Sequence, residues 1–171
     1  FWILYNYGGI YLDTDVEIIK PLYGIISNGP FMGCEEVGKV NPGLGMAAEP
    51  KMKIFKEILD CYSMQHFLYK DGTENEETIV TKVTNVLVKY GLKDKNIIQK
   101  VSGLIIYPVD YFSPIDYRTK EERITMNTVM IHHYAASWHT KLDDIVISVE
   151  GNKFLRAFKI QRVIAFPLRV I

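Results

Sequence analysis

Gly8-Gly9 divides the first apolar stretch of the chain into two pieces of different period. Before it, Phe1 to Tyr7 reads as the end of a helix, and paired glycines stop a helix well because glycine accepts the left-handed conformation found there. After it, Ile10-Tyr11-Leu12 reads as a short strand, and Val16-Glu17-Ile18-Ile19 resumes an extended pattern until Pro21 breaks it. Helix and strand thus alternate from the outset. The opening residues, Phe1-Trp2-Ile3-Leu4-Tyr5, are apolar with no initiator methionine and no capping residue before them. They read as the middle of a helix, and the expectation is that the sequence is a piece of a longer protein.

Phe31-Met32-Gly33-Cys34 and Leu44-Gly45-Met46-Ala47-Ala48 are the next expected strands, with turn chemistry from Glu35 to Gly43 between them. A helix is expected after Pro50, where Phe55, Ile58, Leu59 and Tyr62 recur at helical spacing. A second is expected over about Glu76 to Tyr90, with Ile79, Val83, Val86, Leu87 and Tyr90 on one stripe and Gly91 as the stop. Gly103 to Tyr107 and Thr128 to His132 look like strands, separated by a loop rich in Tyr, Pro and Asp. This mixture favours an α/β fold, a mixed sheet flanked by helices.

A chain of 171 residues with zero formal net charge suits one domain with a sizeable core, and it has no basic excess that would indicate nucleic acid. Cys34 and Cys61 do not make a disulfide framework, and no secretory signal is visible, so both thiols are expected to be buried and inert in a reducing cytoplasm. No apolar run approaches the roughly 20 residues that span a bilayer. The tail after about Lys141 differs from the rest. From Lys153 onward it carries five basic residues and no acidic one, with Lys153, Arg156, Lys159 and Arg162 at every third position. The bland reading is a terminal helix packing one face on the body. The sharper reading is a basic amphipathic segment that touches the inner face of an anionic membrane. The expected division is a core of residues 1–140 and a tail of residues 141–171.

Asp13 and Asp15 follow the first strand one residue apart. In a regular strand, positions i and i+2 point to one side. Two carboxylates there repel unless something cationic lies between them, and a hard divalent ion such as Mg²⁺ or Mn²⁺ meets that need. An isolated Asp-x-Asp is also what a solvated turn looks like. A calcium loop fails, because the required glycine and downstream glutamate are absent. An aspartyl-phosphate phosphatase also places Asp-x-Asp after an apolar strand. It usually has Thr or Val two residues after the second aspartate, where this chain has Glu17, although Asp143-Asp144 keeps that alternative open.

The wider run is Leu4-Tyr5-Asn6-Tyr7-Gly8-Gly9-Ile10-Tyr11-Leu12-Asp13-Thr14-Asp15-Val16-Glu17, followed by Lys20-Pro21-Leu22. It resembles the signature of the DXD glycosyltransferases of family 32, whose members include capsular-polysaccharide sugar transferases and mannosyltransferases. Downstream, Phe31-Met32-Gly33, Asn41-Pro42-Gly43-Leu44-Gly45, Tyr107-Pro108 with Asp110-Tyr111-Phe112, and Ile131-His132-His133-Tyr134-Ala135-Ala136-Ser137-Trp138 resemble later family motifs. The resemblance covers about residues 1–140.

That resemblance implies a GT-A fold and metal-dependent, retaining transfer of a sugar from a UDP- or GDP-linked donor. The implied acceptor is a saccharide or lipid-linked saccharide, as in polysaccharide biosynthesis. It implies Mn²⁺ or Mg²⁺ bridging the diphosphate, with Asp15 as the direct ligand and Asp13 contacting ribose and metal. His133 is the expected third ligand. His132 and His133 should face opposite ways, so only one can reach the site, and the spacing to Trp138 favours His133. Two ordinary histidines at a sheet edge are the bland alternative. Ser137 and Trp138 are expected on a loop that closes over the diphosphate, Tyr11 toward the nucleotide, and Asn41 near sugar or acceptor. Gly8 and Gly9 read as structural. The family also carries an Asp and an Arg in the helix before Leu4, and the Arg would fall just before Phe1. Residues 1–171 are therefore expected to lack part of the N-terminal nucleotide-binding half and to bind donor poorly alone. A catalytically inactive nucleotide-sugar-binding module is the remaining alternative.

Overall fold

The structure, a computed structural model, describes residues 1–135 except 64, 67, 70 and 76. Ser137, Trp138, Asp143-Asp144 and the basic tail lie outside the described residues.

Helix α1 (Trp2–Tyr7) ends at Gly8, whose φ of 70° and close approach to Ala48 O, 2.9 Å from where a Cβ would stand, admit only glycine without strain. Then come β1 (Gly9–Tyr11), β2 (Val16–Ile18), α2 (Tyr23–Ile26), β3 (Phe31–Glu36) and β4 (Lys39–Ala48). Helices α3 (Lys53–Ser63) and α4 (Ile79–Lys89) follow, then β5 (Gln99–Val101), β6 (Leu104–Tyr107), α5 (Val109–Phe112) and β7 (Met130–His132). Five strands form a mixed sheet in the order β1-β4-β3-β6-β5, with β3 and β6 parallel and the other pairs antiparallel. A separate antiparallel ribbon pairs β2 with β7.

Alternation along the central strands distributes side chains to two faces. Met32, Cys34, Leu104 and Ile106 point to one, where Leu4 of α1, Ile54, Phe55 and Ile58 of α3, and Val83, Val86 and Leu87 of α4 cover them. Phe31 and Tyr107 point to the other and pack with Ile25 of α2, Phe112 of α5 and Met130 of β7. Thr78 caps α4 by accepting the Thr81 N–H, and Thr84 of the same helix accepts the Val40 N–H at 2.9 Å, tying α4 to the start of β4. Cys34 is a buried free thiol, pushed up to about 12 by burial, which keeps it protonated and inert. Cys61 is also free, but only partly covered.

Several expectations change. The stretch from Glu35 to Gly43 is not one long turn: the chain reverses at Val37-Gly38 and β4 begins at Lys39. The turn chemistry of Asn41-Pro42-Gly43 instead makes an interruption inside β4, where the partners of Met32 and Gly33 jump from Met46 to Asn41. Proline is tolerated within a sheet at such a break. The expected loop before β7 contains α5, and β5 and α2 are additional short elements.

Candidate functional site

Leu12 to Asp15 carry the chain from the edge of the five-stranded sheet into the ribbon. Asp13 and Asp15 do not sit on a regular strand. Val16 N–H donates to Asp13 O at 3.2 Å, closing a turn over Thr14, and Asp13 N–H donates to Gly43 O at 3.0 Å. The carboxylates converge because of this turn, not because of strand alternation.

The turn is held from two directions. On one side stands the break in β4. Asn41 Oδ1 accepts the Gly43 N–H at 2.8 Å, a local Asx-type bond that offers the backbone an alternative to the ladder. Gly43 then packs so closely that a Cβ there would lie 2.3 Å from Asp13 Oδ2. On the other side stands the ribbon, where Val16 pairs with His132 and His133 N–H donates to Asp15 O at 3.0 Å.

This register decides which histidine faces the aspartates. His132 Nε2 lies 3.3 Å from Asp15 Oδ1 and 3.6 Å from Asp13 Oδ2. His133 turns the other way, its Nε2 2.9 Å from Glu17 Oε2 on an exposed surface. The expectation that His133 joins the aspartates is therefore corrected to His132. Period-two alternation required that one histidine face the site. Which one depends on a pairing between segments more than a hundred residues apart, which no local spacing reveals.

His132 is 7% exposed, and its ring meets Tyr134 edge-on at 4.3 Å between centroids. Tyr134 is in turn fixed by a 2.7 Å hydrogen bond between its hydroxyl and Ser113 Oγ. His132 Nδ1 is buried without a hydrogen-bond partner among the described residues, so the Tyr134 ring and the two carboxylates near Nε2 hold its orientation. Tyr11 donates its hydroxyl to Asp13 Oδ1 at 2.8 Å, and that bond, followed by burial, raises the phenol above its ordinary range and keeps it a donor. With Oδ1 so occupied, Asp13 presents Oδ2 toward His132.

Asp13, Asp15 and His132 form the cluster among the described residues that can hold a metal, their ligand atoms lying within 4.8 Å of one another. Two carboxylate oxygens and one imidazole nitrogen suit Mn²⁺, and carboxylates suit Mg²⁺. Neighbouring ligands of an octahedral ion at about 2.1 Å stand ~3 Å apart, so the 3.3 and 3.6 Å separations need little closure. A cleft of about 480 Å³ adjoins the cluster, lined by Tyr11, Asp13, Asn41 and Gly43 on its polar side and by Ile10, Met46 and Ile79 among its apolar residues. Tyr11 and Asn41 thus both reach the cleft next to the aspartates. Gly43, which lies in a motif that carries the resemblance, and Glu35, whose carboxylate accepts from Asn41 Nδ2 at 2.9 Å, have no site role that the sequence pattern assigns. The Asn-Pro-Gly triplet was the available signal for the former.

Comparison with protein families matches residues 1–32 to the glycosyltransferase sugar-binding region containing DXD motif. The matched segment runs from α1 through both aspartates into the start of β3, and His132, Asn41 and Gly43 fall outside it. No curated protein and no solved structure gives a match. The matched region points to a glycosyltransferase that uses a nucleotide sugar.

Proposed function

We propose that this chain carries the metal and diphosphate site of a metal-dependent, retaining glycosyltransferase. The donor is a UDP- or GDP-linked sugar, and the acceptor is a saccharide or lipid-linked saccharide in polysaccharide biosynthesis. The observation that carries the reading is the convergence of Asp13, Asp15 and His132 from distant parts of the chain, on a motif that matches a sugar-binding region. The mixed sheet flanked by helices supports a GT-A-type fold.

In this reading Asp13, Asp15 and His132 hold Mn²⁺ or Mg²⁺. When bound, the ion supplies Lewis-acid stabilisation of the charge that develops on the departing nucleoside diphosphate. The protein's own groups do the positioning. Tyr11 holds one oxygen of Asp13, the Gly43 carbonyl holds its backbone, and the ribbon holds Asp15 through the His133 N–H. The apolar wall of the adjoining cleft would limit water around the sugar.

The test is a panel of UDP- and GDP-sugars incubated with the full-length protein and Mn²⁺, with saccharide acceptors, reading released nucleoside diphosphate and glycosylated product. Asp15→Asn should lower transfer on the order of 100-fold or more, as loss of a preorganised group that stabilises developing charge does. Transfer undiminished in Asp15→Asn would overturn the assignment. Release of inorganic phosphate from a phosphoester would favour the phosphatase alternative instead.

A further inference from the structure

Glu35 is a half-buried carboxylate that the proposed chemistry leaves unused. It sits where β3 loses register with β4 between Cys34 and Glu36, and such irregularities re-aim side chains. Its Oε2 accepts from Asn41 Nδ2 at 2.9 Å. Asn41 Oδ1 accepts from Gly43 N–H at 2.8 Å, and Gly43 O accepts from Asp13 N–H at 3.0 Å. Three consecutive hydrogen bonds therefore run from Glu35 to the backbone of the first metal-site aspartate. At the far end of this relay, the space between Gly43 and Asp13 Oδ2 is too small for a methyl group, so a shift in the break of β4 moves the carboxylate directly.

The chemical types along the relay are not interchangeable. An asparagine amide has a donor end and an acceptor end of almost the same shape, and either can face a neighbour. An ionised carboxylate only accepts. Facing Glu35, the Asn41 amide must present Nδ2 to it, which leaves Oδ1 for the Gly43 N–H. Burial is the main influence on the Glu35 carboxyl and raises it above the usual carboxylate range, opposed by the bond from Asn41. The bond to Asn41 thus helps keep this covered group in its accepting form.

We propose that Glu35 is a positioning residue for the metal site: it sets the orientation of the Asn41 amide and, through Asn41 and Gly43, the placement of Asp13. This rests on the reading of Asp13, Asp15 and His132 as a metal site. Asn41 accordingly serves the site through Gly43 as well as lining the cleft.

The test is Mn²⁺ affinity, read from the electron paramagnetic resonance of free Mn²⁺, in the full-length protein at a temperature where circular dichroism shows each variant folded. Wild type must bind and Asp15→Asn must lose binding; if wild type binds no Mn²⁺, the metal-site reading falls and the inference with it. Given that, Asn41→Asp places two carboxylates against each other and should weaken Mn²⁺ binding about tenfold or more, the usual scale for groups that orient ligands. Glu35→Gln, whose amide oxygen accepts the same bond, should retain most of the affinity. The double variant Asn41→Asp with Glu35→Gln restores a donor facing an acceptor with reversed polarity, and should recover most of what Asn41→Asp loses. A double variant no better than Asn41→Asp alone, with the metal site itself intact, would overturn the role of Glu35. A purely structural role would shift thermal stability among these variants while leaving Mn²⁺ affinity unchanged.

Discussion

Asp13 is held at three points: its backbone N–H by Gly43, its Oδ1 by Tyr11, and its Oδ2 close to His132. Gly43 is the tightest of these contacts. Gly43→Ala would place a methyl group 2.3 Å from Asp13 Oδ2, a contact that real structures relieve by moving something. The mobile partner is the carboxylate. Gly43→Ala should therefore weaken Mn²⁺ binding about tenfold or more while the fold persists, as checked by Mn²⁺ titration alongside circular dichroism. Unaltered affinity would mean that the close approach does not set the position of Asp13. At this scale the sequence revealed the two aspartates and their likeness to a metal motif, because both lie in one short run. It could not reveal His132 over His133, nor Gly43 against Asp13 and Glu35 against Asn41, because those contacts depend on strand register.

Among the elements, α3 and α4 were legible from apolar spacing alone, since a helix buries a stripe whose period is printed in its own residues. Thr78 is the local signal that starts α4, and Thr78→Ala should cost about 1 kcal/mol of stability, measured as a shift in urea midpoint with unchanged slope. A shift indistinguishable from zero would show that packing alone sets the helix start. Strands were legible where an apolar run was set off by turn residues, as in β3, but β5, α2 and α5 are three or four residues each and too short to show a period. The element that departs from its expected form is β4. Asn, Pro and Gly together carry the chemistry of a turn, and the chain does use it locally, but as a break in a strand whose two ends both stay in the sheet. That break is what brings Gly43 to Asp13. Likewise, the aspartates were expected on a strand and lie on a turn between two, where the same pair of carboxylates converges by a different route.

Across the molecule, the site lies where two sheets exchange the chain. β1 is the edge of the five-stranded sheet, β2 belongs to the ribbon, and Asp13 to Asp15 are part of the segment between them. The Asp13 side of the candidate site is therefore fixed by β4 and the His132 side by β7, and the distance between them depends on both sheets keeping their relative place around the cluster in which Phe31, Leu44, Tyr107, Phe112 and Met130 pack together. No described helix is long and apolar enough to cross a membrane. A site assembled in this way from a local motif and one distant histidine makes a sharp demand on that histidine. The most direct measurement is Mn²⁺ affinity, with UDP or GDP present, in His132→Phe and His133→Phe. Phenylalanine keeps the ring packing against Tyr134 and removes both nitrogens. His132→Phe should weaken Mn²⁺ binding by at least about tenfold, and His133→Phe should leave it close to wild type. The reverse pattern, or equal affinity in both variants, would contradict a metal centre built from Asp13, Asp15 and His132.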